Sequence, residues 1–152
     1  MPITIEETQP DTPDAAQLIA ELDLLLAPLY PAASRHGYSI EKLLREEVSF
    51  HVVRVDGTAA GCGGIQLVGT QYGELKRMYV RPGFRGQGIG LALLEHFAAY
   101  ARQRGVSLLR LETGIHQTEA IRLYEGWGFT RIPPFGPYFE DPVSICYEKH
   151  ID

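Results

Sequence analysis

The sequence predicts one mixed α/β domain, a mostly antiparallel central sheet of about six to seven strands flanked by about four helices. Three observations predict it. Short runs of alternating apolar and polar residues recur, two of them joined by Asp56-Gly57, a dipeptide suited to a hairpin turn. Two stretches, Ile89–Arg104 and Thr118–Trp127, carry apolar residues at helical spacing. A chain of 152 residues, 45% of them apolar, has enough for one core and little for a second.

Taken in order, Ile3–Glu7 alternates as a short strand. Pro13 opens a helix through Leu18, Leu22 and Leu25 to Leu26, which Pro28 ends. Tyr38–Glu47 is a second, shorter helix. Phe50–Val55 and Ala59–Val68 are strands on either side of the Asp56-Gly57 turn, and Glu74–Val80 is a third, stopped by Pro82-Gly83. The helix of Ile89–Arg104 has a stripe of Ile89, Leu93, Phe97 and Ala101, basic residues in its last turn, and Gly105 as its stop. Leu108–Thr113 is a buried strand and Thr118–Trp127 a helix. Phe129–Ile132 and Val143–Lys149 are two closing strands around the loop PPFGPYFEDP.

Formal net charge is −5, which suggests neither disorder nor a surface built for nucleic acid. Residues 1–72 carry four basic and ten acidic groups, and residues 73–152 carry ten and nine, so an anion is drawn to the second half. Lys76, Arg77, Arg81 and Arg85 crowd there. The acidic first half in turn mildly favours a cationic amine as partner. Cys62 and Cys146 lack metal or CxxC spacing and read as small core residues, so no metal is expected. The first residues have no signal-like pattern and no run approaches membrane-spanning length, so the expectation is a cytoplasmic protein that does not engage a membrane.

Between the third strand and the best helix lies RPGFRGQGIG, Arg81 to Gly90. A helix N-terminus offers backbone N–H groups without intrahelical partners and a partial positive charge. Glycines let a bulky anion approach them without meeting a Cβ. The alternative is a turn that uses glycine for its backbone angles alone. No Lys-Ser or Lys-Thr pair follows, so this is not a P-loop, and Leu93 stands where a dinucleotide fingerprint needs its third glycine.

Arg85-Gly86-Gln87-Gly88-Ile89-Gly90 is similar to the [QR]-x-x-G-x-[GA] pyrophosphate loop of the GNAT superfamily of acyl-CoA N-acyltransferases. The run Ala120-Ile121-Arg122-Leu123-Tyr124-Glu125-Gly126-Trp127-Gly128-Phe129 resembles that family's A-x-x-L-Y-x-x-x-G-F signature. Both occur in order, separated by one helix and one strand, and the resemblance spans roughly residues 50–150. The ending Pro134–Tyr138 with Asp141–Ser144 looks like a branch of small bacterial acetyltransferases. The resemblance implies the GNAT fold and direct transfer of an acetyl group from acetyl-CoA to a primary amine through a ternary complex. The alternative is a non-catalytic acyl-CoA-binding sensor.

The same resemblance implies roles for individual residues. Arg85, Gly86, Gln87, Gly88, Ile89 and Gly90 would face the pyrophosphate, and the backbone of Met78, Tyr79 and Val80 would hold the pantetheine arm. Gln117 stands where many members carry an asparagine that contacts the arm, and is one methylene longer. Glu74, fourteen residues before Gly88, matches the general base of the histone-acetylating branch. It lies about 20 Å along the strand from Val80 at roughly 3.3 Å per residue. Tyr124 matches the tyrosine whose hydroxyl serves the departing sulfur, and the N–H near Met78 would donate to the oxyanion. Tyr30, Tyr38, Tyr72, Phe135 and Tyr138 suit either an acceptor pocket or ordinary packing. His36, His51 and His116 lack diagnostic spacing and read as structural or surface residues. The partner expected is a small-molecule or peptide amine, with no nucleic acid, and a homodimer is allowed.

Overall fold

The computed structural model describes residues 2–35 and 38–152, so His36 lies outside the described residues. The elements are β1 (Ile3–Glu7), α1 (Pro13–Leu26), α2 (Ile40–Arg45), β2 (Ser49–Val55), β3 (Thr58–Val68) and β4 (Tyr72–Val80), then α3 (Ile89–Gln103), β5 (Leu108–Gly114), α4 (Thr118–Trp127), β6 (Thr130–Ile132) and β7 (Ser144–His150). Among the described residues these make a seven-stranded sheet of order β1-β2-β3-β4-β5-β7-β6. Only β4 and β5 pair in parallel. Predicted and observed elements agree except at their ends. Helix α2 is shorter than its apolar pattern because the Ser39 side chain caps it, accepting from Lys42 N at 3.1 Å.

Helices cover both faces of the sheet. One core joins α3 to Val53, Ile65, Leu75, Leu109 and Tyr147, and the other joins α1 and α2 to Phe50, Val52, Cys62 and Tyr79. Leu93, Leu94 and Phe97 of α3 are wholly buried, each worth about 1.5–3 kcal/mol of transfer free energy. Leu75 and Tyr79 are four residues apart and would share one face of a regular strand. They enter opposite cores because β4 carries a bulge. Arg77 sits there at φ 56°, and the register passes from Gly64↔Lys76 to Cys62↔Tyr79. The glycines of β3 make room. A Cβ on Gly61 would stand 2.5 Å from the Tyr79 carbonyl oxygen, and one on Gly63 would stand 2.6 Å from Met78 Sδ.

Candidate functional site

Strands β4 and β5 pair only through Gly73↔Leu109, Glu74↔Arg110 and Leu75↔Leu111. Beyond Leu75 they part, and the resulting wedge holds two cavities. The larger, about 420 Å³, runs over Tyr79 and Val80 to Arg85, Gly86, Gly88 and Gly90. The smaller, about 120 Å³, extends towards Tyr30, Arg35, Tyr38, Lys76, Glu112 and Tyr138. They meet at a common wall that includes Met78, Gln117 and Tyr124.

At the open end of the larger cavity Gly86 and Gly88 adopt φ 78° and 79°, and Gly88 is the N-cap of α3. Nothing lies within 4 Å of where either Cβ would stand, so neither glycine is required by packing. They are required by the backbone turn, and they leave the first amides of α3 bare. Gly90 differs. A Cβ there would come within 2.7 Å of Leu123 Cδ2, so this glycine lets α4 approach α3. Ile89 is buried in the α3 core while also lining the cavity. Gln87 is exposed and outside the lining. Arg85 Nε donates to the Val80 carbonyl at 3.3 Å and lies 3.9 Å from Glu119 Oε2.

The other cations that crowd near the glycine loop in sequence, Lys76, Arg77 and Arg81, turn to partners elsewhere. The bulge aims Arg77 at α1, where its Nη2 meets Asp23 Oδ1 at 2.5 Å and the Ile19 carbonyl at 3.3 Å. Arg81 clasps Glu21 of α1 through Nε and Nη2, at 3.1 and 2.9 Å. Lys76 lies 3.0 Å from Glu74 Oε2, with its ammonium 3.8 Å from the centre of the Tyr38 ring.

Tyr124 is 5% exposed and stacks edge-to-face on Phe129. Burial raises its pKa, so the phenol keeps its proton for donation. Glu74 is 3% exposed and lies behind the smaller cavity rather than in its lining. Its Oε2 accepts from the Tyr138 hydroxyl, which does line the cavity. Burial first, then the Glu74 charge, raise the pKa of Tyr138, whereas burial lowers that of Lys76 against the pull of Glu74. Tyr30 donates to Gln117 Oε1 at 3.1 Å and accepts from His116 N at 2.9 Å, so it also braces the turn before α4. Tyr38 donates to Glu46 Oε1 at 3.1 Å. Tyr72 and Phe135 stack on each other beneath Arg110, outside both linings.

Sequence reasoning passed over Arg35 and Glu112. A carboxylate directly after the leucine-rich run Leu108–Leu111, where the strand leaves its parallel partner, was the available signal for Glu112. Its Oε2 accepts from Ser144 Oγ at 2.6 Å. His51 is 3% exposed and bonded to His96 Nε2 at 2.9 Å and Ser49 Oγ at 2.8 Å, in the α3 face of the sheet and away from both cavities. His116 lines the larger cavity and its ring lies 5.3 Å from that of Tyr30. Among the described residues no metal-binding cluster of three or more His, Cys, Asp or Glu occurs, and no helix is long and apolar enough to cross a membrane.

Similarity to known proteins bears on the family and the fold. The profile of the acetyltransferase (GNAT) family matches residues 18–129. The chain is 45% identical over 149 residues, 97% of each chain, to the IAA acetyltransferase of Azospirillum brasilense. A crystal structure assigned as an acyl-CoA N-acyltransferase, from Klebsiella pneumoniae, superimposes with a TM-score of 0.83 at 38% identity, covering 99% and 98% of the two chains. An Elizabethkingia anophelis GNAT family acetyltransferase with acetyl-CoA bound shares the fold, with a TM-score of 0.72 at 22% identity and 97% coverage of each.

Proposed function

Because this chain belongs to the GNAT acetyltransferase family, we propose that it moves acetyl from acetyl-CoA to a primary amine within a ternary complex, using the two joined cavities as donor and acceptor compartments. The observation that carries the reading is the common wall of Met78, Gln117 and Tyr124. A thioester held there is reachable from both sides. The amides beside Gly86 and Gly88, with Arg85, suit the pyrophosphate, and the β4 edge from Met78 to Val80 suits the pantetheine arm. The amine lone pair attacks the carbonyl carbon, the bulge amide at Met78 donates to the oxyanion, and the C–S bond breaks. The Tyr124 hydroxyl donates to the departing thiolate. The amine proton passes to Tyr138 Oη as that hydroxyl gives its own proton to Glu74.

Direct transfer is favoured over a cysteine-bound intermediate. Burial pushes the thiol of Cys62 up to about 12 and that of Cys146 to about 11, and neither lines a cavity. The two unpaired, buried thiols suit a reducing cytoplasm. A thiol-release assay with acetyl-CoA and a panel of amines tests the reading. Amine-dependent release above the hydrolysis background is expected. Binding of acetyl-CoA without release by any amine would leave a sensor instead.

A further inference from the structure

The acceptor compartment has an uneven distribution of charge. Lys76 is 7% exposed and Glu74 engages its ammonium, yet the residue still lines the cavity. An ammonium has three N–H donors, and one carboxylate oxygen at 3.0 Å occupies one of them. Arg35 lines the same cavity, and among the described residues it forms no ion pair. Arg77, also in the lining, is neutralised by Asp23. Among the described residues the lining carboxylate is Glu112, on β5, the strand that leads through Gly114 to Gln117 of the common wall. Among the described lining residues the compartment therefore presents Arg35, and the remaining N–H donors of the paired Lys76, to an anion, with the Glu112 carboxylate on β5.

We infer that the acceptor is a small amino acid-like zwitterion, an amine that also bears a carboxylate, with Arg35 and Lys76 binding the carboxylate and Glu112 receiving the ammonium beside the common wall. This rests on the acetyl-transfer reading and names its substrate class. It also reverses the expectation of a simple cationic amine drawn from the acidic first half of the chain. Those acidic residues are in part consumed by Arg77, Arg81 and Arg54. A buried cation with donors left over discriminates strongly, because an acceptor without the carboxylate leaves those donors unmatched.

The test compares phenylalanine, phenylalaninamide and phenethylamine at saturating acetyl-CoA with the full chain, following thiol release. Phenylalanine is expected to exceed both others by at least tenfold in kcat/KM. Arg35→Gln and Lys76→Met are each expected to cut that value at least tenfold, and Arg35→Gln, which leaves the Lys76–Glu74 pair intact, is expected to act chiefly through KM and to move the value for phenethylamine less than twofold. Arg35 is exposed, so its variant decides the matter if Lys76→Met fails to fold. Equal or better turnover of the two acceptors without a carboxylate overturns the inference and leaves the acetyl-transfer reading standing. Absence of release with every amine overturns that reading. Calorimetry of phenylalanine against the coenzyme A-loaded protein then decides the inference alone, since Arg35-dependent binding supports it and no binding overturns it.

Discussion

The Lys76 ammonium and the Glu74 carboxylate, two residues apart on the same side of β4, form an ion pair 3.0 Å long with both side chains almost wholly buried. Removing one partner of such a pair strands a buried charge, at a cost of about 3–5 kcal/mol. The proposed base of the reaction is therefore also part of the scaffold. Glu74→Gln keeps the shape and an acceptor for Tyr138 but removes the charge. We expect a lowered thermal midpoint, a lower kcat, nearly unchanged acetyl-CoA affinity, and partial recovery of rate at high pH where more amine is neutral. Glu112→Gln is the control. If it alone reproduces the altered pH–rate profile, the base is Glu112.

Tyr124→Phe removes one hydroxyl and preserves the stacking on Phe129. The fold should persist and acetyl-CoA should bind as before. The value of kcat should fall by about 10- to 10²-fold, the lower end reflecting the good leaving ability of a thiolate. The measurement is kcat with the best amine beside the thermal midpoint, and wild-type turnover would return the residue to the core.

Gly88 combines a left-handed backbone with open space around its missing Cβ. Gly88→Val should weaken acetyl-CoA binding by tenfold or more while costing about 1–2 kcal/mol of backbone strain. Gly61→Ala should do the opposite. Its Cβ meets the Tyr79 carbonyl, so stability should drop by about 1–3 kcal/mol with affinity in the folded fraction little changed. Calorimetry and thermal melts on the two variants separate the roles.

Burial, then His96, hold His51 down to about 4 against an opposing pull from Glu7. A group whose pKa is depressed on folding takes up its proton more readily when unfolded, so stability falls as pH drops from about 6.5 towards 4. The full span is on the order of 3 kcal/mol. Thermal midpoints across that range should decline less steeply for a folded His51→Gln than for the parent, and parallel curves would place the acid sensitivity elsewhere.

Local chemistry was legible wherever the chain announces its own geometry. Asp56 and Gly57 take φ 51° and 82°, as a two-residue hairpin demands, and Gly105 closes α3 at φ 76°. The partners of Lys76, Arg77 and Arg81 were not legible. Proximity to the glycine loop in sequence suggested phosphates, but a single bulged residue changes which face each side chain takes, and nothing in the apolar pattern marks it. The glycines of β3 were the visible trace, since a strand rich in glycine signals close backbone approach. The two cavities needed the parting of β4 from β5, a relation between segments more than thirty residues apart.

The end of α4 separates two things that one sequence signature joins. Gly128 turns left-handed at φ 113°, its N–H donates to the Glu125 carbonyl at 3.1 Å, and the Phe129 N–H donates to the Tyr124 carbonyl at 2.9 Å. The Phe129 ring then packs on Tyr124. Of the signature's last three fixed residues, Tyr124, Gly128 and Phe129, two are thus a mechanical stop that fixes where the third points. Inheritance can act on the two parts separately. A descendant that lost the phenol and its chemistry would still need the glycine and the phenylalanine to end the helix, and would go on resembling an enzyme long after it ceased to be one.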